Sequence, residues 1–119
     1  MNRIEKRLKE LEKENKKAFI TYMTAGLPNM KKTREIIKIQ AEAGIDIIEL
    51  GIPFSDPTAD GPIIQDASYR SIQKGTNLRG AFKLVKDVRK ECEVPIVFML
   101  YYNTILYYGA ENFVNKCIE

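Results

Sequence analysis

The sequence contains no histidine and only two cysteines among its 119 residues. Without histidine, the chain cannot use Ser-His or Cys-His nucleophilic catalysis, and any metal site that contains histidine is excluded. Cys92 and Cys117 are far apart and have neither CxxC nor zinc-ligand spacing. We therefore interpret both as ordinary thiols and predict no metal site.

Long apolar runs are also absent. No run approaches the ~20 residues of a membrane span, and the N-terminus lacks the apolar core of a secretory signal. We therefore expect a cytoplasmic chain, whose cysteines stay reduced. The composition, 45% hydrophobic and 29% charged, is that of a globular protein, and 119 residues is the length of one domain, 1–119.

The chain has no strong excess of charge. Its net charge is +3, and the excess lies in the first 17 residues, where basic and acidic side chains are interleaved. This pattern, with a narrow apolar stripe of Ile4, Leu8 and Leu11, predicts a solvated helix. A nucleic-acid-binding arm would be more uniformly basic. We expect neither nucleic acid nor a membrane as a partner.

Strand and helix patterns alternate along the rest of the chain. Asn29 and Asn77 are predicted helix N-caps, and Pro62 suits the first turn of a helix. The predicted strands are 18–26, 45–51 and 96–103, the predicted helices are 30–44, 62–75 and 78–93, and a short amphipathic segment spans 109–119. This order predicts an α/β fold of parallel βαβ units with both sheet faces covered.

The stretch IDIIELGIPFSDPTADGPIIQDA, residues 45–67, places Glu49 in an apolar strand. A carboxyl group enclosed between two layers is desolvated, which favours its protonated form, as a general acid/base near neutral pH requires. Ligand sites of α/β folds also lie at the carboxyl ends of strands. The alternative is a structural glutamate that is neutralised by a lysine or arginine.

Two further acids follow in a loop stiffened by proline. Asp60 precedes Gly61-Pro62, and its simplest interpretation is an aspartate that caps the next helix. Asp56, in SDP, has the same turn interpretation. Two carboxyl groups in unlike environments can divide acid and base roles, but spacing alone leaves open whether they converge.

The segment IELGIPFSDPTADGPIIQDA closely resembles the signature region of the tryptophan synthase alpha subunit family. FITYMTAGLP is similar to the first strand and loop of this family, and VPIVFMLYYNTILYYGAENF to its third strand and following helix. The resemblance covers essentially the whole chain. Two loop positions depart from it: Leu27, where the family often has TAGDP, and Thr58, where SDPLADG is usual.

The resemblance implies a (β/α)8 barrel that cleaves indole-3-glycerol phosphate to indole and glyceraldehyde 3-phosphate by a retro-aldol reaction. Glu49 matches the general acid/base of the family. Asp60 matches the acid that binds the indole nitrogen. Tyr22 and Met99 match ring-pocket positions that usually hold phenylalanine and leucine; without the resemblance, both would be interpreted as core residues.

The resemblance also implies a partner, the beta subunit, in an α2β2 assembly. The loop from Pro53 to Asp60 matches the segment that contacts this subunit, with Pro53, Asp56 and Pro57 as candidate contacts and Asp56 as the candidate signalling residue. No cofactor is expected in this chain, because the pyridoxal phosphate of the family belongs to the beta subunit.

Such a barrel usually has about 250 residues, so the resemblance covers only its N-terminal units: an initial helix and about three strands of an incomplete barrel. The phosphate-binding loops after strands seven and eight are absent, and we expect little or no lyase activity from this chain alone. Open strand edges favour self-association. Two alternatives to a lyase stay open: a non-catalytic module that binds the beta subunit, and a self-associating half-barrel scaffold.

Overall fold

The computed structural model describes all residues, 1–119. A helix precedes three strands, which are separated and followed by further helices. The elements are α1 (Arg3–Lys13), β1 (Ile20–Thr24), α2 (Met30–Glu42), β2 (Ile47–Gly51), α3 (Pro62–Gln73), α4 (Leu78–Val88), β3 (Ile96–Met99), α5 (Tyr102–Tyr108) and α6 (Ala110–Ile118). None of these helices has the length and hydrophobicity needed to cross a membrane.

The predicted helix starts are confirmed. The Asn29 side chain accepts a hydrogen bond from the Lys32 N–H at 2.9 Å, and the Asn77 side chain accepts one from the Gly80 N–H at 2.8 Å. Pro62 is the first residue of α3. These side chains and the proline satisfy or remove N–H groups that a helix start leaves without partners, so the starts follow from local chemistry.

The predicted strand 96–103 is wrong in its second half. β3 ends at Met99, and a short helix, α5, begins at Tyr102. An apolar, aromatic run has no clear period, so it does not distinguish a strand from a buried helix. Gly109, with a φ of 96°, then separates α5 from α6, because glycine adopts this conformation without steric cost.

The three strands form a parallel sheet in the order β1-β2-β3. Glu49 is paired in register with Tyr22 on one side and Val97 on the other, and Gly51 is paired with Met99. Register partners in adjacent parallel strands point to the same face, and the period of a strand is two residues. These five residues therefore lie on one face of the sheet.

The opposite face of the sheet carries the main apolar core. Ile48 and Leu50 of β2 are fully buried and belong to one cluster with Ile37 of α2 and Val88 of α4. Because α2 and α4 both cover this face, the face that carries Glu49 is more open, and Glu49 is half-buried. The prediction that both sheet faces are covered around Glu49 is therefore wrong for these 119 residues, although the predicted fold class is confirmed.

The helix α1 is attached near the start of β2 by a charged cluster. The Asp46 carboxylate accepts hydrogen bonds from the Phe19 N–H at 2.7 Å and from the Arg7 Nε at 2.8 Å. The Phe19 N–H, together with the Arg7 guanidinium, lowers the pKa of Asp46 below its ordinary value in spite of desolvation. Within the apolar stripe of α1, Leu11 is buried but Leu8 is 44% exposed.

Candidate active site

Glu49 lies two residues before the carboxyl end of β2. No lysine or arginine forms a salt bridge with it, and its carboxylate has no hydrogen bond within the chain. The structural alternative, a glutamate neutralised by a basic side chain, therefore finds no partner among these 119 residues. An unpaired carboxyl group on an open sheet face is free to exchange a proton with a ligand.

Tyr22, the register neighbour of Glu49, leans along the sheet over Gly51. A Cβ atom at Gly51 would lie 2.1 Å from the Tyr22 hydroxyl oxygen. Glycine is therefore required at this position for the close approach of the tyrosine. The Tyr22 and Thr24 hydroxyl oxygens are 3.3 Å apart, so the two groups share one hydrogen bond at the carboxyl end of β1.

Asp60 does not cap a helix. The N-cap residue of α3 is Gly61, and no side chain donates or accepts a capping hydrogen bond there. The Asp60 carboxylate instead accepts a hydrogen bond from the Tyr101 hydroxyl, with an oxygen–oxygen distance of 3.1 Å. The Asp60 carbonyl accepts a second bond, at 2.7 Å, from the Gln65 side-chain amide. The acid is thus fixed between the end of β3 and the first turns of α3.

Tyr101 was not predicted as a site residue, although its side chain contacts the loop between β2 and α3 at three residues. Its ring stacks on Phe54 at 4.9 Å, and its hydroxyl accepts a hydrogen bond from the Ala59 N–H at 3.0 Å. Its own proton is donated to Asp60. The available sequence signal was its position just past a strand, at the edge of the sheet where ligand sites lie. Because the strand was predicted to continue to residue 103, Tyr101 was placed inside it and not after its end.

A cavity of about 340 Å³ opens at the carboxyl ends of the strands. It brings together three of the predicted site residues: Tyr22, Asp60 and Met99. Glu49 is not part of its lining but is the neighbour of Tyr22 on the same sheet face. A larger groove, of about 990 Å³ between α4, β3 and α6, contains neither Glu49 nor Asp60. The smaller cavity is therefore the better candidate for chemistry.

The three residues predicted at the partner interface differ in exposure. Asp56 is exposed, Pro57 is half-buried and Pro53 is buried. The Ser55 hydroxyl donates to the Asp56 carboxylate at 2.6 Å, and the Asp56 carbonyl accepts a bond from the Thr58 N–H at 2.8 Å. Asp56 is thus the most accessible acid of the loop, held in a tight turn.

A profile of the family described as "Tryptophan synthase alpha chain" matches residues 8–119. The chain belongs to the tryptophan synthase alpha chain family. Its relative from Lachnospira eligens is 62% identical over 120 residues, which span this whole chain and 46% of that protein. The relative from Alkaliphilus metalliredigens is 46% identical and is covered to 45%. The chain therefore spans a little under half the length of these curated relatives.

Solved structures of tryptophan synthase alpha subunits have the same architecture. The subunit from Legionella pneumophila str. Paris matches 99% of this chain with a TM-score of 0.96 and 38% sequence identity, over 45% of its own length. A tryptophan synthase complex from Pyrococcus furiosus matches 85% of the chain with a TM-score of 0.79 and 44% identity, over 42% of its length.

The three strands and their helices are thus the N-terminal βα units of a (β/α)8 barrel, as predicted. In such barrels, active sites lie at the carboxyl ends of the strands. The cavity of Tyr22, Asp60 and Met99 lies at that end. The departures at Leu27 and Thr58 lie in the loops after β1 and β2, and neither residue lines the cavity, although Thr58 directly precedes the lining residue Ala59.

Proposed function

We propose that this chain supplies the two acids of a lyase that cleaves indole-3-glycerol phosphate to indole and glyceraldehyde 3-phosphate in tryptophan biosynthesis. One observation carries the proposal. The unpaired Glu49 and the Tyr101-bound Asp60 lie at the same end of one parallel sheet, beside an apolar cavity that also contains Tyr22 and Met99. Family membership supports indole-3-glycerol phosphate as the substrate that we propose for this cavity.

Glu49 acts in this proposal as the general acid and then as the base. It donates a proton to the indole ring carbon that carries the glycerol phosphate chain, which makes the ring an electron sink. The carboxylate then removes the proton of the adjacent side-chain hydroxyl. The carbon–carbon bond breaks, its electrons return to the ring, and the hydroxyl carbon becomes the aldehyde. Positioned acids and bases contribute about 10²–10⁴-fold to such steps.

Asp60 acts as the anion that binds the indole N–H and stabilises the positive charge that develops on the nitrogen. Its environment supports this role, because one oxygen is already oriented by the Tyr101 hydroxyl. An acid that is held by a hydrogen bond at one oxygen and an acid without any bond have unlike environments. Such a difference allows two carboxyl groups to take separate roles in one reaction.

The proposal includes a partner. We infer that the loop from Pro53 to Asp60 contacts a tryptophan synthase beta subunit, with Asp56 at its exposed turn, and that the full-length family assembles as α2β2. The solved Pyrococcus furiosus relative is described as a tryptophan synthase complex, which supports this inference. We also propose that the chain acts in the cytoplasm and needs no cofactor of its own, since pyridoxal phosphate belongs to the beta subunit.

A chimera tests the proposed activity. Residues 1–119 replace the aligned part of the Lachnospira eligens relative, which is 62% identical, and indole release from indole-3-glycerol phosphate is measured. We expect an active chimera, and a loss of about 100-fold or more in kcat for Glu49→Gln. Glu42→Gln, on the exposed end of α2, is the matched control and should retain full activity. An active Glu49→Gln chimera would refute the assignment.

The same chimera separates catalysis from partner binding. Affinity for a matched beta subunit and indole release are both measured, for the chimera and for its Asp56→Asn variant. We expect Asp56→Asn to weaken subunit binding while the alpha reaction persists. Beta-subunit binding by an intact but inactive chimera would instead favour a non-catalytic interaction module.

A further inference from the structure

One wall of the candidate cavity is formed by α3, which is attached to the end of β1. The buried Ser71 hydroxyl donates a hydrogen bond to the Ala25 carbonyl. Ser68 lies three residues earlier, on the same side of the helix, and is only 5% exposed. It lines the cavity, and its hydroxyl has no hydrogen-bond partner in the chain. The Ser68 hydroxyl oxygen keeps solvent-accessible surface, so it can bond to water or to a ligand in the cavity.

The facing wall carries a second hydroxyl with unused capacity. Tyr22 and Thr24 share a single hydrogen bond of 3.3 Å, in which either oxygen could be the donor. Two hydroxyl groups have two protons, so one O–H of this pair has no acceptor in the chain. Tyr22 lines the cavity, so its hydroxyl is a polar group beside a mainly apolar space.

The remaining lining favours a flat, apolar ligand. The side chains of Ile52, Ile64, Met99 and Leu100 surround the space, and its volume of about 340 Å³ falls at the lower end of the range of small-molecule sites. An unsubstituted ring in this space would leave the Ser68 and Tyr22 hydroxyls without partners on the ligand. Sites with unpaired polar groups discriminate against ligands that fail to pair them.

We propose that Tyr22, supported by Thr24, and Ser68 form a hydroxyl-lined subsite that binds a hydrogen-bonding substituent on an aromatic ring. The cavity therefore prefers an indole that carries a ring hydroxyl group over indole itself. This inference rests on the proposed function, because it takes an indole ring as the occupant of the cavity. It adds a ring-substituent specificity that a phenylalanine at position 22 would not give.

The test is a comparison of two dissociation constants for the 119-residue chain, one for indole and one for 5-hydroxyindole. Since the chain has no tryptophan, the fluorescence of either ligand is measured by excitation beyond the tyrosine absorption band. One neutral hydrogen bond corresponds to about a two- to tenfold difference in affinity. We expect 5-hydroxyindole to bind tighter than indole by about this factor.

Tyr22→Phe and Ser68→Ala identify the groups responsible, and each should reduce the ratio of the two constants toward one. Tyr107→Phe removes a hydroxyl from a side chain that is 97% exposed and outside the cavity, so it should leave the ratio unchanged. Circular dichroism of every variant checks that the fold is retained. A variant that unfolds is replaced by Thr24→Val for Tyr22, or by Ser68→Cys for Ser68, because the thiol has nearly the same shape but is only a weak hydrogen-bond donor.

The outcomes distinguish the two proposals. Equal affinities for the two ligands, or a preference that survives both substitutions, would overturn the hydroxyl subsite but leave the indole cavity intact. No binding of either ligand to the folded chain would overturn the subsite and also count against the proposed function. A preference that Tyr22→Phe and Ser68→Ala reduce, and Tyr107→Phe does not, is the result that we expect.

Discussion

The Tyr101 hydroxyl makes two hydrogen bonds with the loop after β2, one as donor to Asp60 and one as acceptor from the Ala59 N–H. Tyr101→Phe removes both bonds but keeps the stacking on Phe54. We expect the Ala59 amide to exchange its hydrogen about two- to tenfold faster, the equivalent of one net hydrogen bond. Hydrogen exchange followed by NMR measures this rate. Unchanged exchange at Ala59 would show that the tyrosine does not hold the loop.

Gly26 and Gly44 both have a positive φ, of 85° and 93°, but differ in their surroundings. A Cβ atom at Gly26 would lie 1.8 Å from the Thr76 hydroxyl oxygen, whereas one at Gly44 would meet nothing within 4 Å. Gly44→Ala should therefore lower the free energy of unfolding by about 1–2 kcal/mol, from backbone strain alone. Gly26→Ala should cost about 1–3 kcal/mol more, from overpacking.

Urea unfolding of the two alanine variants measures these free energies. The difference between them isolates the packing of α3 and the following Thr76 against the end of β1, since both variants carry the same backbone cost. Equal losses at the two positions would mean that the contact with Thr76 relaxes freely.

The strand pattern indicated Glu49 as a candidate acid, whereas Asp60 became a candidate only through the family resemblance. The sequence did not indicate how Asp60 is held. Its capping interpretation was wrong, since the carboxylate is bound by Tyr101, 41 residues away. Ser68 was missed for the same reason. No sequence pattern distinguishes a helical serine that lines a cavity from one that does not. Ser68 reaches the cavity only because α3 packs on β1.

Among the elements, α1 depends on contacts with the sheet more than on its own apolar stripe. Arg7 and the Phe19 N–H both donate to Asp46, which is 6% exposed. We expect Asp46→Asn to lower the free energy of unfolding by about 1.5–3 kcal/mol at neutral pH, because charge-assisted hydrogen bonds are lost. Asp66→Asn, in an exposed pair with Arg70, is the control and should cost less than about 1 kcal/mol.

The stabilisation by Asp46, through Arg7 and the Phe19 N–H, should also depend on pH. The folded chain lowers the pKa of Asp46, so its contribution is complete above the ordinary aspartate pKa of about 4 and is lost as the pH falls through the lowered value. Urea unfolding from pH 7 down to about pH 3 should show a smaller loss for Asp46→Asn than for the native chain. Identical acid profiles would contradict the assignment.

The three helix starts were predictable, but two element ends were not: α4 ends at Val88, five residues before its predicted end at 93, and β3 ends at Met99, four residues before its predicted end at 103. Asn29, Asn77 and Pro62 mark helix starts by chemistry that acts within three residues, so the sequence alone suffices there. The end of β3 at Met99 depends on pairing with β2, whose last partner residue is Gly51. Beyond that pair the apolar run 96–103 has no strand beside it, and α5 begins at Tyr102. No local sequence pattern predicted this helix start.

At the scale of the whole molecule, the sheet has three strands and two outer edges, on β1 and β3. Its Glu49 face is only half-buried, and large apolar side chains such as Ile63 and Ile118 are 84% and 78% exposed. Open edges and apolar surface promote association. We expect the native mass of the chain to rise with concentration in analytical ultracentrifugation. A compact monomer that unfolds cooperatively would contradict this expectation.

The most direct test of the account joins the chain to the barrel units that it does not contain. Glu49 lies on β2 and Asp60 in the loop that follows it, whereas barrels of this type commonly bind phosphate after strands seven and eight. The chain is therefore mixed with the remaining part of its Lachnospira eligens relative, supplied as a separate polypeptide, and indole release from indole-3-glycerol phosphate is measured. We predict that the mixture releases indole and that neither polypeptide does so by itself. Glu49→Gln should lower the rate of release by the mixture about 100-fold or more. Release by the unmixed chain at the same rate, or by a mixture with Glu49→Gln, would contradict the account.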